Sequence, residues 1–174
     1  MPNPFLFALS AVLPSVIGLA GCSQTSDSAS SSAQCTMRFS GNTSSSLTSP
    51  SCGALSSAED AGAVDYSLGF AAQTAEIPSF DVAIDLGVAR TPGTFSSETA
   101  SHWSVSGTNA AGCAFVAGTD AARVGSFALT LTSLDGDAGV GSGVHGSLDL
   151  TAYVEEATGM DCGLSDSEVV HIDF

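Results

Sequence analysis

Apolar residues recur at every second position through most of the chain, and no segment sustains a 3.6-residue apolar period. The longest such rows are Val64, Tyr66, Leu68 and Phe70; Phe80, Val82, Ile84, Leu86 and Val88; Phe127, Leu129 and Leu131; and Val144, Gly146, Leu148, Leu150, Ala152 and Val154. Successive side chains of a strand point to opposite faces, so strict alternation marks one buried and one wet face. Shorter rows are Cys35, Met37 and Phe39; Trp103 and Val105; an apolar stretch around Cys113; and Val170, Ile172 and Phe174. About eight strands at short spacing predict an all-β fold, an antiparallel sandwich or soluble barrel-like sheet. Residues 41–51 read as a polar, turn-rich segment, 57–62 as a single helical turn, and Thr91-Pro92-Gly93 as a turn.

The formal net charge is −15, with no lysine and only Arg38, Arg90 and Arg123 as arginines. Charged residues make up only 12% of the chain, so the acidity reflects missing bases rather than dense acids. A phosphate backbone is repelled, which excludes nucleic acid as a partner. An anionic lipid surface is repelled too, so any membrane contact must come from acyl chains.

Residues 1–21 carry no charged side chain, and residues 5–20 are almost wholly apolar, broken by Ser10, Pro14, Ser15 and Gly18. This stretch is too short and interrupted for a membrane span and fits the apolar region of an export signal. It ends in Leu19-Ala20-Gly21-Cys22, which resembles the lipobox of bacterial lipoproteins. The resemblance implies a diacylglycerol on the Cys22 thiol, cleavage just before it and acylation of the new amine. Residues 1–21 would be a lipoprotein signal peptide, and the membrane partner would be reached through acyl chains on Cys22. Ser23 stands where an aspartate retains many such proteins at the inner membrane, so the likeness favours the outer membrane. The serine-rich segment 22–34 has no apolar period and reads as a tether reaching about 20 Å. Residues 35–174, about 140 in all, suit one domain with one core. The paired runs beginning at Gly125 and at His145 also look like those of many small bacterial lipoproteins, a likeness that brings no activity.

Beyond Cys22 lie Cys35, Cys52, Cys113 and Cys162. An even number in an exported chain predicts two disulfides, and four cysteines allow three pairings. Cys35 and Cys52 flank a polar segment with almost no apolar anchor, where a local staple would hold it to the sheet. Cys113 then falls to Cys162, which would tie the approach to the last strand to an earlier one.

No cofactor motif is present, and no catalytic or metal-ligating set is complete. Asp135-Gly136-Asp137 begins like a calcium loop, but the ligands that should follow are absent. Asp161, Asp166 and Glu168 form an acidic cluster near a loop that a wet surface explains, with a weak calcium site as the alternative. His102, His145 and His171 read as exposed, and a hairpin register would place His171 nearer Thr151 than His145, leaving the two histidines too far apart to share a metal. There is no Gly-x-Ser-x-Gly elbow and no Ser-x-x-Lys. Gly139, Gly141 and Gly143 precede a strand, so they do not form a phosphate-cradling loop. Asn42-Thr43-Ser44 matches a glycosylation sequon. The closing Val170-x-Ile172-x-Phe174 resembles the last strand of an outer-membrane barrel, yet outward Asp81, Asp85 and Asp149 fit a soluble sheet better.

The sequence therefore predicts a lipid-anchored envelope protein whose β domain binds or scaffolds without catalysis, with an envelope protein or glycan as ligand. The alternative is a small envelope hydrolase using loop carboxylates. A cleft beside Trp103 or Tyr153 would favour a ligand site.

Overall fold

The computed structural model describes residues 34–49, 52–60, 63–88, 91–134, 143–155, 162 and 166–174. Residues 1–33, which include Cys22 and nearly all of the segments expected to form a signal peptide and tether, lie outside this set, as do Arg90, Asp135, Asp137 and Asp161. Among the described residues there is no helix, and eleven strands form. They are β1 (Cys35–Gly41), β2 (Ser45–Ser49), β3 (Gly53–Asp60), β4 (Ala63–Ala72), β5 (Ser79–Gly87), β6 (Gly93–Ser96), β7 (Trp103–Thr108), β8 (Ala114–Gly118), β9 (Ser126–Leu134), β10 (Val144–Glu155) and β11 (Ser167–Asp173).

The eight strands expected from alternation are β1, β4, β5, β7, β8, β9, β10 and β11. β2 lies in the segment read as polar and turn-rich, β3 runs into the segment read as a helical turn, and β6 follows directly on the turn at Thr91-Pro92-Gly93. These three are the edges: β2 and β3 end the main strand path, and β6 ends the branch through β9. An edge strand leans on the core with few residues, so it needs no apolar row. Leu47, Leu55 and Phe95 are the anchors, one per edge, each partly buried against the core.

Every pairing is antiparallel, and the order is β2-β1-β11-β10-β8-β7-β5-β4-β3, with β9 and β6 branching from β10. The 12-residue β10 carries β11 along one edge. Its other edge is shared between β9, over Val144–Thr151, and β8, over Tyr153–Glu155. The sheet forks there and curls, bringing the inner faces of the two arms together. Phe39 of β1 meets Phe80 of β5 edge-on at 5.0 Å, and Trp103 of β7 meets Phe127 of β9 at 5.1 Å. Phe174, just past β11, packs on Phe70 of β4 at 5.0 Å. The terminal phenylalanine thus ends inside the core.

Side-chain parity follows the sequence closely. Tyr66, Leu68, Phe70, Phe80, Val82, Ile84, Leu86, Phe127, Leu129 and Leu131 are all buried. The side chain of Val64 lies outside what is described. Val88 is 67% exposed, a correction to its place in the β5 row. The strand ends at Gly87, whose φ of 62° turns the chain off the sheet. Gly146 breaks the β10 row at a bulge. A Cβ there would lie 2.1 Å from the Thr130 carbonyl oxygen, so only glycine fits.

Both expected disulfides are present, Cys35–Cys52 and Cys113–Cys162, each with Cα atoms 5.7 Å apart. The first does more than hold down a polar segment. Cys35 opens β1 near one end of the strand path, and Cys52 directly precedes β3 at the other end. The bridge therefore clasps the two ends of the curl. The second joins the residue before β8 to the connection before β11, as expected.

The bridges span 17 and 49 residues of sequence, for which the loop-entropy model gives about 3 and about 4 kcal/mol. Each is comparable to much of the stability of a domain this size. Denaturant unfolding of serine variants should therefore show Cys113→Ser and Cys162→Ser more destabilised than Cys35→Ser and Cys52→Ser. Equal midpoints for the two pairs would refute the ranking.

Candidate functional site

The strands bring polar side chains into one row across the outer face of β2, β1, β11, β10, β9 and β6. Direct cross-strand neighbours along it are Ser46, Arg38, His171, Asp149, Ala128 and Ser96. His171 faces Asp149, which leaves it nearer Thr151 than His145, as expected; Val169 is the residue opposite Thr151. β10 and β11 pair from Tyr153 and Ser167 onward. His145 lies opposite Ser133 of β9, four positions from Asp149 along β10, about 13 Å away at strand rise. The two histidines share nothing, as expected.

His171 is bracketed. Its Nδ1 lies 2.6 Å from Asp149 Oδ1 and its Nε2 3.0 Å from Asp173 Oδ1. Two carboxylate acceptors require two N–H donors, which is the imidazolium form. Accordingly the Asp149 hydrogen bond, with help from Asp173, raises the His171 pKa above the ordinary histidine value. Arg38 Nη1 lies 3.5 Å from Asp173 Oδ2 and extends the chain of charges. With His171 protonated, two cations and two carboxylates balance, and the patch is neutral on a strongly acidic chain. An imidazolium with both nitrogens engaged has no lone pair to take a proton, so this cluster is not arranged as a hydrolase base. Beside it, Arg38, Ser40, Ser44, Ser45, Ser46 and His171 edge an open depression of about 530 Å³.

A second groove, of about 520 Å³, crosses the outer face of the other arm. It runs over small side chains, with Ala54, Gly69, Ala83 and Ser104 as successive cross-strand neighbours. The two aromatics beside which a cleft would have been most informative are engaged within the fold. Trp103 is buried, and Tyr153 is covered by the Arg123 guanidinium, 3.7 Å from its ring centre.

The other candidates separate. His102 Nδ1 lies 3.7 Å from Asp120, an exposed pair. Asp85 accepts from the Ser101 hydroxyl at 2.6 Å and the Gly87 amide at 2.8 Å, bonds that hold its carboxyl below the ordinary range. The Asn42 side-chain amide donates to the Cys162 carbonyl, so the sequon asparagine is engaged within the fold. Asp166 is exposed, as expected.

Glu168 corrects the reading of its cluster as wet surface, for it has no exposed surface at all. It stands two residues before Val170 on β11, in phase with Val170 and Ile172, and parity turns it inward. That signal was in the sequence, hidden by the residue's charge. Its Oε2 accepts the Asn42 amide at 3.0 Å and the Thr43 amide at 2.9 Å. Burial outweighs these bonds and raises its pKa. Gly41, at φ 130° and against the Ser167 carbonyl, admits the turn that aims both amides at it.

A folded-state pKa raised above the unfolded value means that the His171 contribution is fully present below about pH 6.5 and fades as pH rises through the folded value. The residue is about a third exposed, so the effect is on the order of 1 kcal/mol or less. NMR titration should place the His171 midpoint above that of an unperturbed histidine, and Asp149→Asn should move it down. A midpoint unchanged by Asp149→Asn would overturn the bracketed geometry.

No protein-family model, curated protein or solved structure matches the chain.

Proposed function

We propose that the chain is a lipid-anchored protein of the bacterial envelope whose acidic β domain binds or scaffolds rather than catalyses. The observation that carries this is the pair of disulfides. Bridges of this kind persist in oxidising compartments outside the cytoplasm, which agrees with the export signal and lipobox ending in Cys22. The balanced Arg38–Asp173–His171–Asp149 cluster supports a binding role, because its acid–base groups neutralise one another. The hydroxyl-lined depression beside it offers donors and acceptors to a neutral polar ligand, and a glycan or polar protein surface of the envelope is the class that fits. The acidic remainder of the surface disfavours anionic partners.

The anchor is tested first. In cells fed a labelled fatty acid, the wild-type protein should carry label and fractionate with membranes, and Cys22→Ser should do neither. One acyl chain holds a protein only marginally while two or more hold it stably, so complete modification predicts resistance to salt extraction. Equal labelling of wild type and variant would sink the proposal.

A further inference from the structure

Glu168 is a carboxyl group sealed in the protein with one oxygen served and the other bare. Oε2 takes the amides of Asn42 and Thr43, while Oε1 is buried without a hydrogen-bond partner. The Thr43 hydroxyl is buried and unpartnered as well, so it does not serve Oε1. Counter-charge is missing too. The cross-strand neighbours of Glu168 are Gly41 on β1 and Ala152 on β10, and the turn bonded to it carries Asn42 and Thr43, none of which titrates. Cys162, which accepts from Asn42, is disulfide-bonded. Asp166, two residues away, is exposed. Arg38, Arg123 and His171 are engaged with Asp173, Tyr153 and the Asp149–Asp173 pair.

Magnitudes decide which form this site holds best. An ionised carboxylate out of water with no counter-charge costs far more than a neutral acid whose hydroxyl is one hydrogen bond short. The neutral acid still offers Oε2 as a carbonyl oxygen, with two lone pairs for the two amides. Those amides offset part of the charge of the ionised form, and burial outweighs them. We propose that Glu168 is a proton-operated latch on the β1–β2 turn, closed while its carboxyl is neutral and loosened when it ionises. An ionised Oε1 draws water in, and the segment hydrogen-bonded over the carboxyl, which must give way, is the Asn42–Thr43 turn.

A carboxyl whose folded pKa is raised contributes fully below the unfolded value of about 4.5 and loses that contribution as pH rises through the folded value. The turn is therefore tightest in acid. Its position gives it leverage. Asn42 joins the turn to Cys162, and Ser44, Ser45 and Ser46, which follow Thr43 directly, edge the outer-face depression. Loosening the turn frees one wall of that depression. This last consequence rests on the binding role proposed for the depression; the latch itself does not.

The test compares the full-length wild type with Glu168→Gln, which fixes a neutral side chain and keeps a carbonyl oxygen for the two amides. The Tm of Glu168→Gln minus that of wild type should widen as pH rises from about 4 to about 8. Each tenfold change in the folding equilibrium reads as about 3–6 °C. Hydrogen exchange reads the turn itself. Over the same range the wild-type Asn42 and Thr43 amides should lose protection at least several-fold relative to the β5 ladder amides, and in Glu168→Gln they should not. If Glu168→Gln does not fold, the wild type decides alone. The carboxyl carbon of Glu168, followed by NMR, should titrate above the ordinary glutamate value, and turn protection should fall through that same midpoint. A Tm difference that stays flat or narrows, turn protection indifferent to the titration, or a midpoint at or below the ordinary value each contradicts the latch. None of these readouts depends on what the depression binds.

Discussion

The fold depends on the shared edge of β10. A strand has two edges, and β11 takes one of them along most of its length. The other is divided between β9 and β8, so the sheet leaves β10 in two directions. Each arm is buried on one face only, and a single-faced apolar sheet must find a second layer to cover it. The fork supplies that layer from the same sheet. The aromatic contacts Phe39–Phe80 and Trp103–Phe127 are where the arms meet, and their partners are far apart along the strand path. The Cys35–Cys52 bridge then fixes the ends. Without it, β2 and β3 would be held only by their single neighbours and by Leu47 and Leu55.

This explains which strands were legible in the sequence. A central strand is buried by neighbours on both sides and writes a row of apolar residues, as β5 and β9 do. An edge strand touches the core at one point and otherwise faces water. β2 reads Ser-Ser-Leu-Thr-Ser and β6 reads Gly-Thr-Phe-Ser, each with one apolar anchor in a polar frame. Periodicity cannot find a row of length one. The fork was also out of reach, because the β10 pattern is the same whether one strand or two pair with an edge. The disulfide pairing was legible because Cys35 and Cys52 flank a segment too polar to hold itself down, but its role in closing the curl follows only from strand order.

The site was partly legible in the same sense. Outward placement of His171 and Asp149 follows from parity, while their direct contact requires the register, which the 11-residue connection between β10 and β11 leaves open. The register sets a carboxylate beside the imidazole and turns a plain exposed histidine into a bracketed cation. Glu168 shows the converse error. Its charge argued for water, its phase argued for burial, and phase prevailed because β11 cannot turn Val170 and Ile172 inward without turning Glu168 inward as well. The two backbone amides of the β1–β2 turn make that burial tolerable.

A chain with 18 acids and 3 arginines must stabilise its carboxylates mostly without basic side chains. Asp85 uses a hydroxyl and an amide, Glu168 uses two amides, and Asp149 uses a histidine made cationic by its surroundings. Neutral donors leave the carboxylates' charge uncancelled, so the surface stays acidic even where its acids are well bonded. On the proposed anchored reading, that residual charge has a mechanical consequence. An anionic bilayer surface repels it within about a Debye length, on the order of 8–10 Å. On the same reading, residues 22–34 would act as a serine-rich tether with a relaxed reach of about 20 Å. The acyl chains would then hold the domain to the membrane while its own charge holds it off, leaving the neutral Arg38–His171 face accessible to a polar partner.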